Sequence, residues 1–198
     1  MKQSLKSVAY AATVCSFFAF SSCESEQISP GADLQASNSL DAHRNKSFNL
    51  NKTYTADIMA LNNSGVMGKA TLTLEGDMLT VHIMASGLEA NKLHPQHIHG
   101  FMEKNKNAVC PPMSADTNGD NLVDLGEGLP FYGPVLLSLN PFPTAPDGTI
   151  DYTMTFPVTA AMLPLQNNVI VLHGMTVGGE YVATLPVACG SIKPSNMK

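Results

Sequence analysis

Apolar and polar residues alternate with a period of two along several short stretches of this 198-residue chain. Ala70, Leu72 and Leu74 are interleaved with Lys69, Thr71, Thr73 and Glu75, and across Glu75-Gly76-Asp77 the residues Leu79, Val81 and Ile83 are interleaved with Met78, Thr80, His82 and Met84. Successive side chains of a strand point to opposite faces, so this pattern predicts a hairpin with one buried face. Ile150, Tyr152, Met154 and Phe156 alternate with Asp151, Thr153 and Thr155 after Pro146-Asp147-Gly148, a strong turn sequence. Further candidate strands are Tyr54–Leu61, Val135–Leu139, Val169–His173 and Tyr181–Leu185. Short strands, Asn/Gly/Pro turns and no sustained helical period predict an all-β domain, an antiparallel sandwich or barrel.

Two of these stretches carry candidate chemistry. In His94-Pro95-Gln96-His97-Ile98-His99-Gly100 the histidines at 97 and 99 share a strand face while Ile98 points the other way. A third histidine, His173, closes the apolar run Val169-Ile170-Val171-Leu172. Three neutral imidazoles suit copper or zinc, and a three-ligand protein site leaves a position open for water or substrate.

The amino-terminal residues bear on whether such a site is loaded outside the cytoplasm. Lys2 and Lys6, an apolar stretch from Val8 to Phe20 and then Ser21-Ser22-Cys23 read as a secretory signal of lipoprotein type, residues 1–22, with Cys23 as the lipidation site; a simple cleaved signal or a retained anchor are the alternatives. Residues 23–46 are rich in Ser, Gln, Asn, Asp and Ala and read as a flexible tether, leaving 47–198 as one β domain. Removing residues 1–22 takes away two lysines and no acids, so the net charge moves from −5 to −7. Such a balance argues against nucleic acid as a partner. With Cys15 in the leader and Cys23 given to lipid, Cys110 and Cys189 remain; in an exported protein an even pair reads as a disulfide, two buried thiols being the alternative. The expected location is the cell envelope, in the periplasm or on the outer surface, with lipid as the membrane partner; protein partners are not readable.

Ser86-Gly87-Leu88, the His94–His99 segment, Cys110, the Val169–His173 run and Ala188-Cys189-Gly190-Ser191-Ile192 occur in the order of five landmarks of the copper/zinc superoxide dismutases, which this chain resembles from about Tyr54 to Ile192. The resemblance implies a Greek-key β-barrel, copper ligation by His97, His99 and His173, a Cys110–Cys189 disulfide and superoxide as a small-molecule substrate. Departures accompany it. Where the family has a histidine bridging copper and zinc, six residues after the first half-cystine, this chain has Asp116, and no histidine lies between His99 and His173. A complete zinc site is therefore not expected, although Asp124-Leu125-Gly126 matches the family's last zinc ligand and its neighbours. The family's anion-guiding arginine is replaced by Pro186, and the stretch from His173 to Cys189 is short. The losses bring the chain closer to copper-only members and to chordin-type (CHRD) repeat domains, which share a His-Ile-His-Gly strand.

In place of the zinc loop, residues 116–127 put oxygen side chains at loop positions 1, 3, 5, 9 and 12: Asp116, Asn118, Asp120, Asp124 and Glu127. That is calcium-loop spacing, with apolar Val123 at position 8 and Asn121 at the sharp turn; flanking helices are not evident. An acidic, solvated turn is the plain alternative, and a structural Ca²⁺ is the functional one. Of the other histidines, His82 reads as a solvent-facing strand residue, His94 as a structural hydrogen-bonding group and His43 as part of the tether. Eleven methionines read as core filler rather than a copper relay.

These readings converge on an exported, lipid-anchored copper protein of superoxide dismutase type. A non-enzymatic envelope module with a structural calcium loop is the competing class. A zinc hydrolase ranks last, since no general base accompanies the histidines.

Overall fold

A computed structural model describes residues 51–195. The signal sequence, Cys23, the tether and His43 lie outside the described residues. The strands are β1 (Lys52–Ala60), β2 (Met67–Glu75), β3 (Met78–Ser86), β4 (Gln96–His99), β5 (Val135–Ser138), β6 (Thr149–Pro157), β7 (Val169–Val177), β8 (Glu180–Ser191) and β9 (Lys193–Pro194), with one α-helix, α1 (Leu125–Tyr132), between β4 and β5. The all-β expectation holds.

Every ladder is antiparallel, and the neighbours run β5-β4-β7-β8-β1-β2-β3-β6, with β9 beside β1. Pairing of β3 with β6 and of β4 with β7 joins strands three apart in the chain, which makes the crossovers Greek-key connections. Among the described residues no ladder closes β5 onto β6, so the sheet curls into a half-barrel. The Tyr152 hydroxyl of β6 donates to the Leu139 carbonyl, 2.7 Å away, just beyond β5.

The alternating strands behave as their pattern requires. Ala70 faces Ile83, Leu72 faces Val81 and Leu74 faces Leu79, all buried in the concave core with Tyr54, Ala56 and Ile58 of β1. The two-residue connection Gly76-Asp77 starts with Gly76 at φ 61°, a turn whose twist suits a tight hairpin.

β7 departs from this pattern, and the departure positions the site. Val169 to Gly174 are all buried. Ile170 and Leu172 enter the main core, whereas Val169 and Val171 enter a second cluster with Ala108, Tyr132 and Cys189. A strand covered on both faces reads as a continuous apolar run, which is what this segment shows. The outer cover is made by α1 and by the 101–112 segment, which the Cys110–Cys189 disulfide fastens to β8.

Two expectations need correction. β7 does not end at His173; it runs on to Val177 and turns through Gly178-Gly179 into β8, so His173 lies inside the strand at a register shift. A helix also follows the acidic loop. Asp124 caps α1 by accepting from the Glu127 N–H, and the Glu127 carboxylate accepts in return from the Asp124 N–H. This reciprocal cap offsets the interior Pro130 and two glycines in an eight-residue helix.

Candidate metal centre

His97 pairs with Val171 and His99 with Val169, so the two histidines project from the outer face into the second layer, while Ile98 is buried in the main core. His173 reaches the same place from β7. Ring centroids lie 5.1 Å apart for His97–His173, 5.7 Å for His97–His99 and 5.9 Å for His99–His173. One nitrogen from each ring falls within 4.8 Å of the others.

The hydrogen bonds specify which nitrogens face inward. His99 Nδ1 lies 2.9 Å from the Gly133 carbonyl and His173 Nδ1 lies 2.9 Å from the Thr184 carbonyl. A carbonyl only accepts, so both rings carry their proton on Nδ1 and present a bare Nε2. Those two Nε2 atoms, together with Nδ1 of His97, are buried and have no hydrogen-bond partner. Buried polar atoms are ordinarily paired, and three unpartnered ring nitrogens in one cluster, two of them bare, fit a cation. Carbonyls on the far nitrogens fix the tautomer and ring orientation, as metal-bound imidazoles require. Gln96 also has unpartnered buried polar atoms, but it is a single side chain on the inner face.

The same burial sets the proton affinities. Burial, reinforced by the neighbouring charge of His99, pushes His97 down to about 4. Burial pushes His173 down to about 3, against the opposing Thr184 carbonyl and with help from the other two rings. His99 is lowered by burial, partly offset by Gly133. All three are neutral near pH 7, the form that binds metal.

Glycine makes two of these placements possible. Gly174 has φ 108°, and a Cβ there would stand 2.0 Å from the Tyr181 hydroxyl oxygen. Gly133, at φ 76°, terminates α1 so closely against Gly100 that a Cβ would lie 2.4 Å from the Gly100 carbonyl oxygen, and its own carbonyl holds His99. His94 is buried, with Nδ1 3.0 Å from the His173 carbonyl and Nε2 3.0 Å from that of Glu89, the structural role its sequence position suggests. Tyr132 packs edge-to-face with His99 at 4.7 Å between ring centroids, and Phe142 does the same with His97 at 5.3 Å. Gly133, Tyr132, Phe142, Thr184 and Gly174 carried no recognisable sequence signal. The Asp124-x-x-Glu127 cap that precedes Tyr132 did carry one.

The acidic loop is built differently. Glu127 accepts from Thr117 N, Thr117 Oγ1, Asn118 N and Asp124 N at 2.7 to 3.1 Å, and these bonds, led by that of Thr117 N, pull its carboxyl down to about 2. Asp116 accepts from Gly119 N and Asn121 N, Asn118 from Asp120 N, and Asp120 from Leu122 N. Among the described residues the grouping of at least three donor side chains is the histidine triad; Asp116, Asp120, Asp124 and Glu127 form no such group. Buried Asn62 anchors the loop through the Val123 N–H and carbonyl and the Pro186 carbonyl. His82 lies on the outer face of β3, 2.8 Å from Asp151, away from the triad.

A cleft of about 140 Å³ opens onto the triad between Pro95, Leu125, Val135 and Ala183. Larger clefts exist, one of about 280 Å³ along Lys52, Tyr54 and Leu163, but none contains a cluster of ligating groups. The site and fold together define an antiparallel all-β domain with a buried three-histidine centre able to hold a metal ion. No protein-family model and no curated protein matches this chain. Among the described residues no helix is long and apolar enough to cross a membrane, and the disulfide fits an oxidising, extracytoplasmic compartment.

Proposed function

We propose that this is an exported copper-binding protein whose three-histidine centre is a redox site, held at the membrane through lipid on Cys23. The reading is carried by the three buried, unpartnered imidazole nitrogens of His97, His99 and His173. Copper is preferred to zinc because a nitrogen-donor site binds Cu²⁺ most tightly among the common divalent ions, and because the landmark residues resemble copper proteins. Copper would supply one-electron redox chemistry, and superoxide is the substrate the resemblance implies. The chain's own part is to keep three imidazoles neutral, fix two of them through Gly133 and Thr184, and leave His97 half-buried beside the cleft. With Pro186 and Asp116 where the family has its guiding arginine and bridging histidine, turnover of superoxide is expected to be slow.

The test is metal retention after loading with Cu²⁺ and desalting. Wild type should keep one copper per chain and the His97→Ala/His99→Ala double variant should keep none. Equal retention by both overturns the ligand assignment. If copper is retained but superoxide decays no faster than with free copper, the activity is lost and a binding protein remains.

A further inference from the structure

We propose that the open side of the histidine centre admits an uncharged small molecule, up to the size of one aromatic ring, in preference to an anion. The inference rests on the copper reading above and narrows the class of molecule that reaches that site.

The wall of the cleft is hydrocarbon. Pro95, Leu125, Val135 and Ala183 line it, Leu125 and Val135 being 45% and 48% exposed at its mouth. The remaining wall residue besides the histidines, Thr184, has its carbonyl committed to His173. No arginine occurs among the described residues, and the lysines with aromatic partners are spent elsewhere: Lys92 lies over Tyr181 and Lys106 over Phe101. The one nearby helix N-terminus is closed to anions, because Asp124 and Glu127 already occupy it. Asp124 directly precedes Leu125 at the mouth, so a negative charge stands next to the rim residue in the chain.

A bound copper ion attracts anions at short range whatever the wall is made of. The wall decides the cost of arriving. An anion passing Leu125 and Val135 sheds water against an apolar wall that holds no cation, while an uncharged molecule sheds little and gains contact with carbon. Size follows from volume: an apolar cavity of about 150 Å³ holds one benzene ring. Dioxygen and single-ring phenols fall within the class, while superoxide, an anion, is the disfavoured kind of visitor, in keeping with the slow turnover expected above.

Titrations of the copper(II)-loaded protein, followed by the visible copper band and by electron paramagnetic resonance, compare two nitrogen donors, pyridine and azide, at pH 7.5. Wild type should bind pyridine more tightly than azide. Leu125→Lys and, separately, Val135→Lys should tighten azide at least tenfold and leave pyridine unchanged or weaker. Both residues are half-exposed, so the folded, loaded state is expected in each variant. Wild type preferring azide, with azide unaffected in both variants, overturns the inference. A chain that retains no stoichiometric copper fails at the earlier step, before any titration, so the two failures are distinguishable.

Discussion

The histidine centre and the acidic loop both look like cation sites in the sequence, one through three imidazoles and the other through five regularly spaced oxygen donors. The structure treats them oppositely. At the centre, each ring nitrogen that faces inward lacks a partner, and two of the outward ones are held by backbone carbonyls. In the loop, the carboxylates of Asp116, Asp120 and Glu127 already accept hydrogen bonds from the loop's own N–H groups, Asp120 through one oxygen only. Ligand-type spacing alone does not say whether the donor atoms are free for an ion. What separates the two is whether the donor atoms already hold partners from the chain that carries them.

The largest effect expected from breaking this contrast is on copper binding. His173→Ala removes a whole ligand, and since loss of a mere supporting contact costs about 10–100-fold in metal affinity, this should cost more than ~100-fold. The paired change Asp116→Ala/Asp120→Ala should leave copper affinity within about threefold, because metal and loop share no donor and distant sites act independently. Competitive titration against a chelator of known strength checks both; a large loss in the loop variant would mean that the two regions act as one site.

Next in size is the covalent tie beneath the centre. Cys110 and Cys189 close a loop of 79 residues and pack beside Val171, the β7 partner of His97. Loop closure of that length contributes about 4 kcal/mol on the chain-entropy account. The Cys110→Ser/Cys189→Ser variant should therefore melt ~10 °C lower, given about 2–4 °C per kcal/mol for a domain of this size. A reduced melting temperature with copper still bound would separate stability from ligation.

Acid should resolve the two regions by pH. For the metal-free protein the histidines are held below their ordinary proton affinity of about 6.5, His97 at about 4 and His173 at about 3, both chiefly by burial. The unfolded chain takes up those protons first, so the stability they confer is present above pH ~6.5 and is lost as pH falls toward 4 and then 3. Glu127, held down to about 2 by the Thr117 and Asp124 N–H groups, keeps its contribution above pH ~4.3 and loses it as pH falls toward 2. Urea melts between pH 8 and 2.5 should show a first decline below pH 6.5 that His97→Gln reduces, and a second below pH 4.3 that Glu127→Gln removes. Copper retention should persist to roughly pH 4, because protons compete for these nitrogens only there.

How much of this was legible in the sequence follows the same division. The alternating strands β2, β3 and β6 were readable because one face of each meets the core and the other meets water. The Val169–Leu172 run is legible as an apolar strand, but what covers its outer face is not: α1 is short, carries Pro130, and owes its existence to the Asp124/Glu127 cap and to packing of Tyr132 on His99. Its capping spacing stands in the chain, but the same two residues also occupy positions 9 and 12 of the calcium-type spacing. The extension of β7 beyond His173 was hidden by Gly174, a residue that argues for a strand end until Tyr181 and His94 are seen pressed against it. The three ligand-type residues were legible from period and position; Gly133, Thr184 and Asn62, which fix them or the neighbouring loop, act through backbone groups or from a turn and leave no pattern.

The smallest predicted effect sharpens the comparison most directly, because it concerns a residue claimed by both readings. Asp124 is position 9 of the calcium-type spacing and also the cap of α1. If its role is capping, Asp124→Asn keeps an oxygen acceptor for the Glu127 N–H and should cost little, while Asp124→Ala should cost about 1 kcal/mol, or some 2–4 °C in melting temperature. The difference between the two variants should be the same with millimolar calcium as with a chelator present. A calcium-dependent stabilisation of wild type, lost in Asp124→Ala, would instead show that the loop exchanges its internal hydrogen bonds for an ion. The centre would then not be the lone cation site among the described residues.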